Sequence, residues 1–175
     1  MMLPDDALPL LVVEDSDEDY TALRWALGKV GVDRPVRRCA SGADLLAYLR
    51  RTGSYAPGAP GAPAGDVPPP ALILLDLNLG ADDGREVLAE LKADAALRRI
   101  PVVVWTTSAH PADVDHCYAH GASGYATKPV DVAQLVASLR DVTRYWFGCV
   151  ILPEPGPPAA GLPGQSARGP TGPTA

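Results

Sequence analysis

Four polar groups stand at the ends of short apolar runs, and this arrangement constrains the fold more than any other feature of the sequence. The runs are rich in Leu, Val and Ile, which is typical of strands buried on both faces of a parallel sheet. Because the carboxyl ends of parallel strands meet at one edge of an open α/β sheet, where ligands bind, we expect the four groups to lie together. In chain order they are Glu14-Asp15, Asp76, Thr106 and Lys128-Pro129.

Strands and helices are predicted to alternate along most of the chain. Ser16 and Ser41 stand where helix N-caps are expected, Gly31 where the first helix should end, and Pro111 at the first position of a later helix. Elements of these lengths imply an α/β fold with a doubly wound parallel sheet. The predicted strands are 8–13, 35–39, 71–75, 100–105 and 124–127, and the last helix is predicted over about 132–147.

The chain of 175 residues is long enough for one domain of ordinary size and a tail. Residues 53–70 are dominated by Gly, Pro and Ala, and we predict a surface loop there that is mobile or partly disordered. The same composition returns at the end of the chain. We therefore predict one domain over residues 1–152 and a disordered tail over 153–175.

The charge and the apolar segments exclude several classes of function. A formal net charge of −6 and a pI near 4.9 argue against nucleic-acid binding, and pairs such as Arg37-Arg38 are interpreted as solvated charge. No apolar run approaches the roughly 20 residues that span a bilayer. The N-terminus lacks the features of a secretory signal, and three cysteines are too few for a disulfide framework. We expect a cytoplasmic protein without a membrane partner.

Three carboxylates, one hydroxyl and one ammonium at the same sheet edge suit a divalent metal ion and a phosphoryl group. Mg²⁺ prefers oxygen ligands and is often held by one or two carboxylates together with phosphate oxygens. A carboxylate that attacks an anionic phosphoryl group needs its charge neutralised, which a metal ion and a lysine can do. The residues therefore predict phosphoryl chemistry at this edge.

The set resembles the receiver domain of two-component response regulators, the CheY-like family. That family carries an acidic pair, a phosphoacceptor aspartate, a Thr or Ser, and a Lys-Pro, each after its own strand, and all four occur here in that order. The resemblance covers residues 8–147. It implies a flavodoxin-like (βα)5 receiver fold whose parallel strands lie in the order 2-1-3-4-5.

The resemblance also implies roles for individual residues. Asp76 would be the phosphoacceptor, Lys128 would pair with one phosphoryl oxygen, and Thr106 would bond another. The Lys128-Pro129 bond is expected to be cis. Tyr125 stands where the family has an aromatic residue that changes rotamer on phosphorylation, although simple core packing explains it equally well.

A magnesium site follows from the same resemblance. Asp15 and Asp76 would bind Mg²⁺ directly and Glu14 through water, and the backbone carbonyl of Asn78 would add a further ligand. Gly80 stands where family members often have proline, so the loop after Asp76 is expected to be more mobile.

Two further features narrow the resemblance to the single-domain response regulators that act with bacterial phytochromes. They are the segment 76–88 and an aromatic and apolar extension over 145–153. The likeness implies a sensor histidine kinase as partner, a homodimer formed through the extension, and signalling without a DNA-binding output domain. The extension could instead fold back on its own domain. Its apolar residues are Trp146, Phe147, Val150, Ile151 and Leu152.

Other functions remain as alternatives. A phosphohydrolase of the haloacid dehalogenase type would also use Asp76 as nucleophile, but it needs an acid two residues later, where Asn78 stands. A pseudo-receiver would bind partners without phosphorylation, and the intact acidic set argues against it. A zinc site at His116, Cys117 and His120 lacks further ligands at a suitable spacing. A switch rather than an enzyme is the favoured interpretation.

Overall fold

Five parallel strands form the central sheet in the spatial order β2-β1-β3-β6-β7. The structure, a computed structural model, describes residues 8–60 and 67–154. The predicted order 2-1-3-4-5 is confirmed, because β4 and β5 form a separate hairpin and do not enter this sheet. The strands of the sheet are β1 (Leu10–Val13), β2 (Val36–Cys39), β3 (Leu72–Leu75), β6 (Val102–Thr106) and β7 (Gly124–Thr127).

Among the described residues, four α-helices connect the strands of the sheet and a fifth follows β7, and several helix ends lie at the predicted capping residues. Ser16 and Ser41 accept hydrogen bonds from backbone N–H groups three residues later, Gly31 ends the first helix with a φ of 76°, and Pro111 begins the fourth. The helices are α1 (Asp17–Val30), α2 (Gly42–Arg50), α3 (Gly84–Ala93), α4 (Pro111–Ala119) and α5 (Val132–Gly148).

The core has two layers because alternate residues of the central strands point to opposite faces of the sheet. One layer contains Leu11, Ile73 and Val104, and the other contains Leu10, Leu74 and Trp105. Every residue of β1, β3 and β6 is buried. Both faces are therefore covered, as the continuous apolar runs predicted.

The register brings the carboxyl ends of the strands to one edge. Val13 pairs with Cys39 on one side and with Leu75 on the other, and Leu75 pairs with Val104. The residues that follow these pairs must therefore lie side by side. Glu14 and Asp76 are brought together in this way.

A short antiparallel hairpin, β4 (Asn78–Leu79) and β5 (Asp82–Asp83), follows β3 and was not predicted. Its turn contains Gly80, which has a φ of 64°. At the end of the hairpin, Gly84 begins α3 against the backbone: a Cβ atom there would lie 2.2 Å from the carbonyl oxygen of Asp76. Only glycine allows this approach of helix to strand.

The loop before β3 is more ordered than predicted where the structure describes it. Gly53–Tyr55 forms a turn of 3₁₀ helix, and the ring of Tyr55 packs edge-on against Tyr48 at 5.1 Å. The Tyr48 hydroxyl donates to the carbonyl of Pro68, and Val67 is buried. These parts therefore carry local structure and pack on the core through aromatic and apolar side chains, while the mobility of the loop stays a prediction. Residues 61–66 lie outside the described residues.

The C-terminal extension divides into two parts. Trp146 and Phe147 belong to α5 and pack against the core layer that contains Leu10, so this part folds back on its own domain. Tyr145 and Ile151 are exposed. The predicted disordered tail lies, after residue 154, outside the described residues.

Candidate functional site

The ammonium group of Lys128 joins the ends of two strands and the first turn of a helix. Its Nζ atom lies 2.5 Å from Glu14 Oε2, 2.6 Å from Asp76 Oδ2 and 3.1 Å from Asp19 Oδ2. Glu14 follows β1, Asp76 follows β3 and Lys128 follows β7. The structure thus brings together three of the residues that the sequence predicted for the site.

These charged groups are buried at the edge of the core. Glu14 is 2% exposed and Asp76 is 5% exposed. Their backbones are held by the sheet, since the Asp76 N–H donates to Val13 and the Glu14 N–H donates to Cys39. Buried carboxylates of this kind need a paired cation, and Lys128 supplies it.

Burial and hydrogen bonding shift the pKa values of Glu14 and Lys128. Burial raises the pKa of Glu14 above its usual value, although the hydrogen bond from Lys128 opposes this effect. Burial alone would lower the pKa of Lys128, but its hydrogen bonds to Asp76 and Glu14 outweigh that effect and raise it. Lys128 therefore stays charged at neutral pH.

Asp15 and Asn78, the other two predicted metal ligands, lie at the open side of the site and are exposed. Asp15 Oδ2 faces Gly80, where a Cβ atom would lie 3.0 Å away. The Asn78 N–H donates to Asp76 Oδ1 at 3.2 Å. Among the described residues, the Asp15 carboxylate has no hydrogen-bond or ion-pair partner inside the protein.

Oxygen donors at this edge match the chemistry of a hard divalent cation. Within the parts of the chain that the structure describes, however, no three His, Cys, Asp or Glu side chains are grouped as a ligand set. Lys128 Nζ contacts both Glu14 and Asp76, while Asp15 faces the hairpin turn. The donor set fits Mg²⁺ by its chemistry.

The prediction of a cis peptide bond between Lys128 and Pro129 is wrong. The described residues contain no cis peptide bond. With the trans bond, the Lys128 N–H still donates to the Thr106 carbonyl at 2.7 Å, and its side chain still reaches Glu14 and Asp76. A trans bond is the intrinsically preferred form before proline.

Thr106 is the last residue of β6 rather than the first residue after it, and it is fully buried. Its Oγ1 accepts a long hydrogen bond of 3.4 Å from the Ser108 N–H. Tyr125 packs half-buried against the core, and its hydroxyl donates to the Ser108 carbonyl at 3.0 Å. Thr106 and Tyr125 are therefore connected through the backbone of Ser108.

Sequence reasoning missed a polar network beside this loop. Arg85 Nε donates to Asp113 Oδ1 at 2.9 Å, and the Ser108 hydroxyl donates to Asp113 Oδ2 at 2.6 Å. The Arg85 guanidinium and the Ser108 hydroxyl lower the pKa of Asp113 to about 2. The network connects the start of α3 to the start of α4. No local sequence motif predicts it, because Arg85 and Asp113 are 28 residues apart in the sequence.

Arg38 was interpreted from the sequence as solvated charge, and this is wrong. Its Nε donates to the Glu14 carbonyl and its Nη2 to the Asp15 carbonyl, both at 2.8 Å, while Nη1 pairs with Asp17. Arg38 therefore holds the backbone of the acidic pair. Asp19, in the first turn of α1, also contacts Lys128, and it was not identified from the sequence.

His116 of α4 and His120, the C-cap of that helix, belong to no cluster of three or more metal-ligating side chains among the described residues. His116 and His120 stack with their ring centroids 4.1 Å apart, and His120 Nδ1 lies 2.8 Å from the His116 carbonyl oxygen. Cys117 is buried in the core. For the described ranges 8–60 and 67–154, no helix has both the length and the hydropathy that crossing a bilayer requires.

Known proteins resemble this chain along most of its length. Response regulator Rcp1 of Synechocystis sp. is 37% identical over 144 residues, which cover 82% of this chain and 92% of Rcp1. The crystal structure of the phosphorylated cyanobacterial phytochrome response regulator RcpA is 37% identical, with a TM-score of 0.73, and covers 84% of this chain and 99% of RcpA. The Mn²⁺-bound form of Rcp1 is 36% identical, with a TM-score of 0.72, over 83% of this chain and 99% of that one.

A family model described as the response regulator receiver domain matches residues 10–140. The matched span contains all five strands of the sheet and every group that meets at its carboxyl edge. The phytochrome response regulator RcpA shares this fold over nearly its whole length. The chain belongs to the family of response regulator receiver domains.

Proposed function

We propose that this protein is a phosphoryl-accepting switch in which Asp76 receives the phosphoryl group from a sensor histidine kinase. The observation that carries the proposal is the contact of Lys128 Nζ with Asp76 Oδ2 at 2.6 Å in a buried acidic site. It pairs a carboxylate nucleophile with a fixed ammonium at the place where negative charge would build up. A purely structural ion pair would not need a second buried carboxylate, Glu14, on the same ammonium.

The transfer conserves bonds and charge in a simple way. A carboxylate oxygen of Asp76 forms a P–O bond while the P–N bond to the kinase histidine breaks, and the electron pair of that bond stays on the imidazole nitrogen. The product is an acyl phosphate. Lys128 neutralises one of its oxygens, and the Thr106 hydroxyl, which accepts a hydrogen bond from the Ser108 N–H, donates to another.

When bound, Mg²⁺ would neutralise the negative charge on the phosphoryl oxygens. We assign its direct ligands as Asp15 and Asp76, with Glu14 acting through water and Asn78 through its backbone carbonyl. Support comes from the free carboxylate of Asp15 at the open side of the site and from the oxygen-only donor set.

An exposed apolar groove beside the site supports a protein partner. Trp25 of α1 and Val132 of α5 are about half exposed and line the groove with Leu135, and Val130 is fully exposed next to Lys128-Pro129. Single apolar side chains are common on surfaces, but a groove between α1 and α5 that several of them line favours the docking of a partner. We propose that the kinase docks in this groove while its phosphohistidine reaches Asp76.

The similar proteins suggest which class of histidine kinase is the partner. RcpA is a cyanobacterial phytochrome response regulator, and by this likeness we propose a bacterial phytochrome as the kinase and the cytoplasm as the location. We also propose a homodimer formed through the exposed part of the C-terminal extension, where Ile151 is fully exposed and Tyr145 half exposed. The domain would then comprise residues 1–152 and the extension would act as its dimerisation arm.

Labelling with acetyl phosphate tests the phosphoacceptor. The protein is incubated with acetyl phosphate and Mg²⁺, and its intact mass is measured. We expect one added phosphoryl group, and none in Asp76→Asn, whose amide is not a nucleophile. Equal labelling of Asp76→Asn would overturn the assignment, and multiple turnover of phosphomonoesters would indicate a hydrolase instead.

A further inference from the structure

One side chain holds the backbone carbonyls of both Glu14 and Asp15. β1 ends at Val13 and Ser16 is the N-cap of α1, so these two carbonyls lie between the sheet and the helix. The guanidinium of Arg38 donates to both of them, from Nε to Glu14 and from Nη2 to Asp15, each at 2.8 Å. Among the described residues, no backbone N–H donates to either carbonyl. Arg38 therefore supplies the donors that this connection otherwise lacks.

The Arg38 side chain is itself fixed by the elements around it. It belongs to β2, which pairs with β1, and it is 21% exposed. Its Nη1 atom pairs with Asp17 of α1, and its guanidinium carbon lies 4.9 Å from the centre of the Tyr20 ring. A planar guanidinium can serve several acceptors in one fixed geometry, whereas a lysine ammonium is a point charge on a flexible stem. Arg38 thus connects β2, the acidic pair and α1 rigidly.

The carboxylate of Asp15 depends on this backbone for its position. It is exposed at the open side of the site, and it has no hydrogen-bond or ion-pair partner in the part of the chain that the structure describes. The Glu14 carboxylate differs, because it is bonded to Lys128 and to the Ser16 N–H. The placement of the Asp15 carboxylate is therefore set by its own backbone, to which Arg38 is bonded.

We propose that Arg38 is a positioning residue for divalent metal binding, which fixes the backbone of the acidic pair so that the Asp15 carboxylate is placed to bind the ion. This inference rests on the metal site of the proposed function. Removal of a side chain that orients a metal ligand, without binding the metal itself, typically weakens metal binding by roughly 10- to 100-fold. We expect Arg38→Lys to lie near the lower end of this range, because lysine could keep one of the two carbonyl bonds.

Arg37 provides a matched control on the same strand. Its side chain points to the opposite face of the sheet, and its buried Nε atom has no hydrogen-bond partner among the described residues. Arg37→Lys and Arg38→Lys make the same chemical change at neighbouring positions, and both keep the positive charge. A weaker metal affinity in Arg38→Lys alone therefore reports the carbonyl bonds, since the electrostatic repulsion of the cation is the same.

The contact is tested first in the metal-free protein. The ¹³C chemical shifts of the Glu14 and Asp15 carbonyls are measured by NMR in the presence of EDTA, because such shifts respond to the loss of a hydrogen-bond donor. We expect both signals to move in Arg38→Lys and to move much less in Arg37→Lys. Unchanged carbonyl signals in a folded Arg38→Lys variant would overturn the proposal.

Metal affinity is measured next, by titrating Mg²⁺ into ¹⁵N-labelled protein and following the amide signals of Ser16 and Asn78. We expect the dissociation constant to rise roughly tenfold in Arg38→Lys and to change by less than about twofold in Arg37→Lys. Urea denaturation shows that each variant is folded under the conditions of the titration.

A second pair of variants serves if Arg38→Lys does not fold. Asp17→Asn loosens the Arg38 guanidinium from a side chain that is 90% exposed. Glu18→Gln removes the same charge from the same first turn of α1, and Glu18 is exposed. We expect Asp17→Asn to weaken Mg²⁺ binding more than Glu18→Gln, because only Asp17 is paired with Arg38.

The outcomes distinguish this inference from the proposed function. If the wild type binds no Mg²⁺, the metal site of the proposed function and the role of Arg38 are both overturned. If the wild type binds Mg²⁺ and Arg38→Lys binds it equally tightly, only the role of Arg38 is overturned. An equal loss of affinity in Arg37→Lys would have the same meaning, as would equal losses in Asp17→Asn and Glu18→Gln where Arg38→Lys is unfolded.

Discussion

β3 and β7 both deliver a charged residue to the site, yet they lie in differently packed halves of the sheet. All four residues of β3 are buried, whereas the residues of β7 are half-buried or exposed. The helices follow the same division: α3 buries Val87, Leu88 and Leu91, while α4 buries only Cys117.

The comparison teaches where a switch of this fold can move. Burial sets the local cost of opening, so the half around β1 and β3 should hold Glu14 and Asp76 rigidly. The half around β7 and α4 has fewer buried contacts and carries Tyr125, whose hydroxyl is bonded to the Ser108 carbonyl. Glu14 and Asp76 therefore lie in the more deeply buried half, whereas Lys128 and Tyr125 belong to the less buried half.

Removal of Lys128, the link between the two halves, should have the largest effect. Lys128→Met leaves Glu14 and Asp76 buried without their cation, and we expect a loss of about 3–5 kcal/mol in the free energy of unfolding at neutral pH. Because burial raises the pKa of Glu14 above its unfolded value, Glu14 disfavours folding when it is ionised. The contribution of Glu14 to the free energy of unfolding therefore becomes more favourable as the pH falls from above the raised pKa towards 4.5, the pKa of Glu14 in the unfolded chain.

Urea denaturation at pH 5 and pH 7 measures this effect. The variant should lose more stability at pH 7 than at pH 5, because loss of the ammonium raises the pKa of Glu14 further. A loss that is equal at both pH values would mean that Glu14 does not depend on Lys128 for its charge.

A matched pair of truncations tests the difference in packing directly. Leu74→Ala removes a fully buried side chain of β3 and should cost about 3 kcal/mol in unfolding free energy. Val114→Ala removes atoms from a half-buried side chain of α4 and should cost about 1 kcal/mol or less. Similar losses in thermal or chemical denaturation would break the proposed division of the sheet.

Gly84→Ala tests how tightly α3 is pressed on the phosphoacceptor strand. The added Cβ would lie 2.2 Å from the Asp76 carbonyl oxygen and 2.7 Å from Leu77 Cα, so the backbone must shift. We expect a loss of about 2–3 kcal/mol in unfolding free energy and slower labelling by acetyl phosphate. Gly28→Ala is the control, since nothing lies within 4 Å of its added Cβ and alanine favours helix, so its stability should rise slightly.

Tyr125→Phe should have a smaller effect on stability than Lys128→Met, Leu74→Ala or Gly84→Ala. The variant removes the hydrogen bond to Ser108 at 3.0 Å from a half-buried position, which is worth about 1 kcal/mol in unfolding free energy. The phosphorylation rate should stay close to that of the wild type because Tyr125 does not contact Asp76. A large loss of labelling in this variant would mean that Tyr125 acts directly on the phosphoacceptor site.

The elements that the sequence predicted well are those with short-range causes. Ser16, Ser41 and Gly31 end or begin helices through bonds to residues three or four positions away, so the local sequence suffices. The fully apolar strands are equally local signals, and their ends were misplaced by no more than about two residues. Because each site residue follows or ends one of these parallel strands, the local pattern also predicted that they lie at one edge of the sheet.

The features that were missed arise from partners distant in sequence. The Arg38 contacts with the acidic pair, the Arg85–Asp113 pair and the packing of Tyr55 on Tyr48 depend on which helices become neighbours. A composition rich in Gly, Pro and Ala concealed the single aromatic residue that orders the loop before β3.

By itself, the sequence determined the receiver fold and the five polar residues at the sheet edge, because strand periodicity and parallel pairing leave one place where strand ends can meet. The tertiary structure decided how Lys128 divides its three donors among Glu14, Asp76 and Asp19. That division depends on distances between β1, β3, β7 and α1, which are set by packing across the sheet and not by any local run of residues.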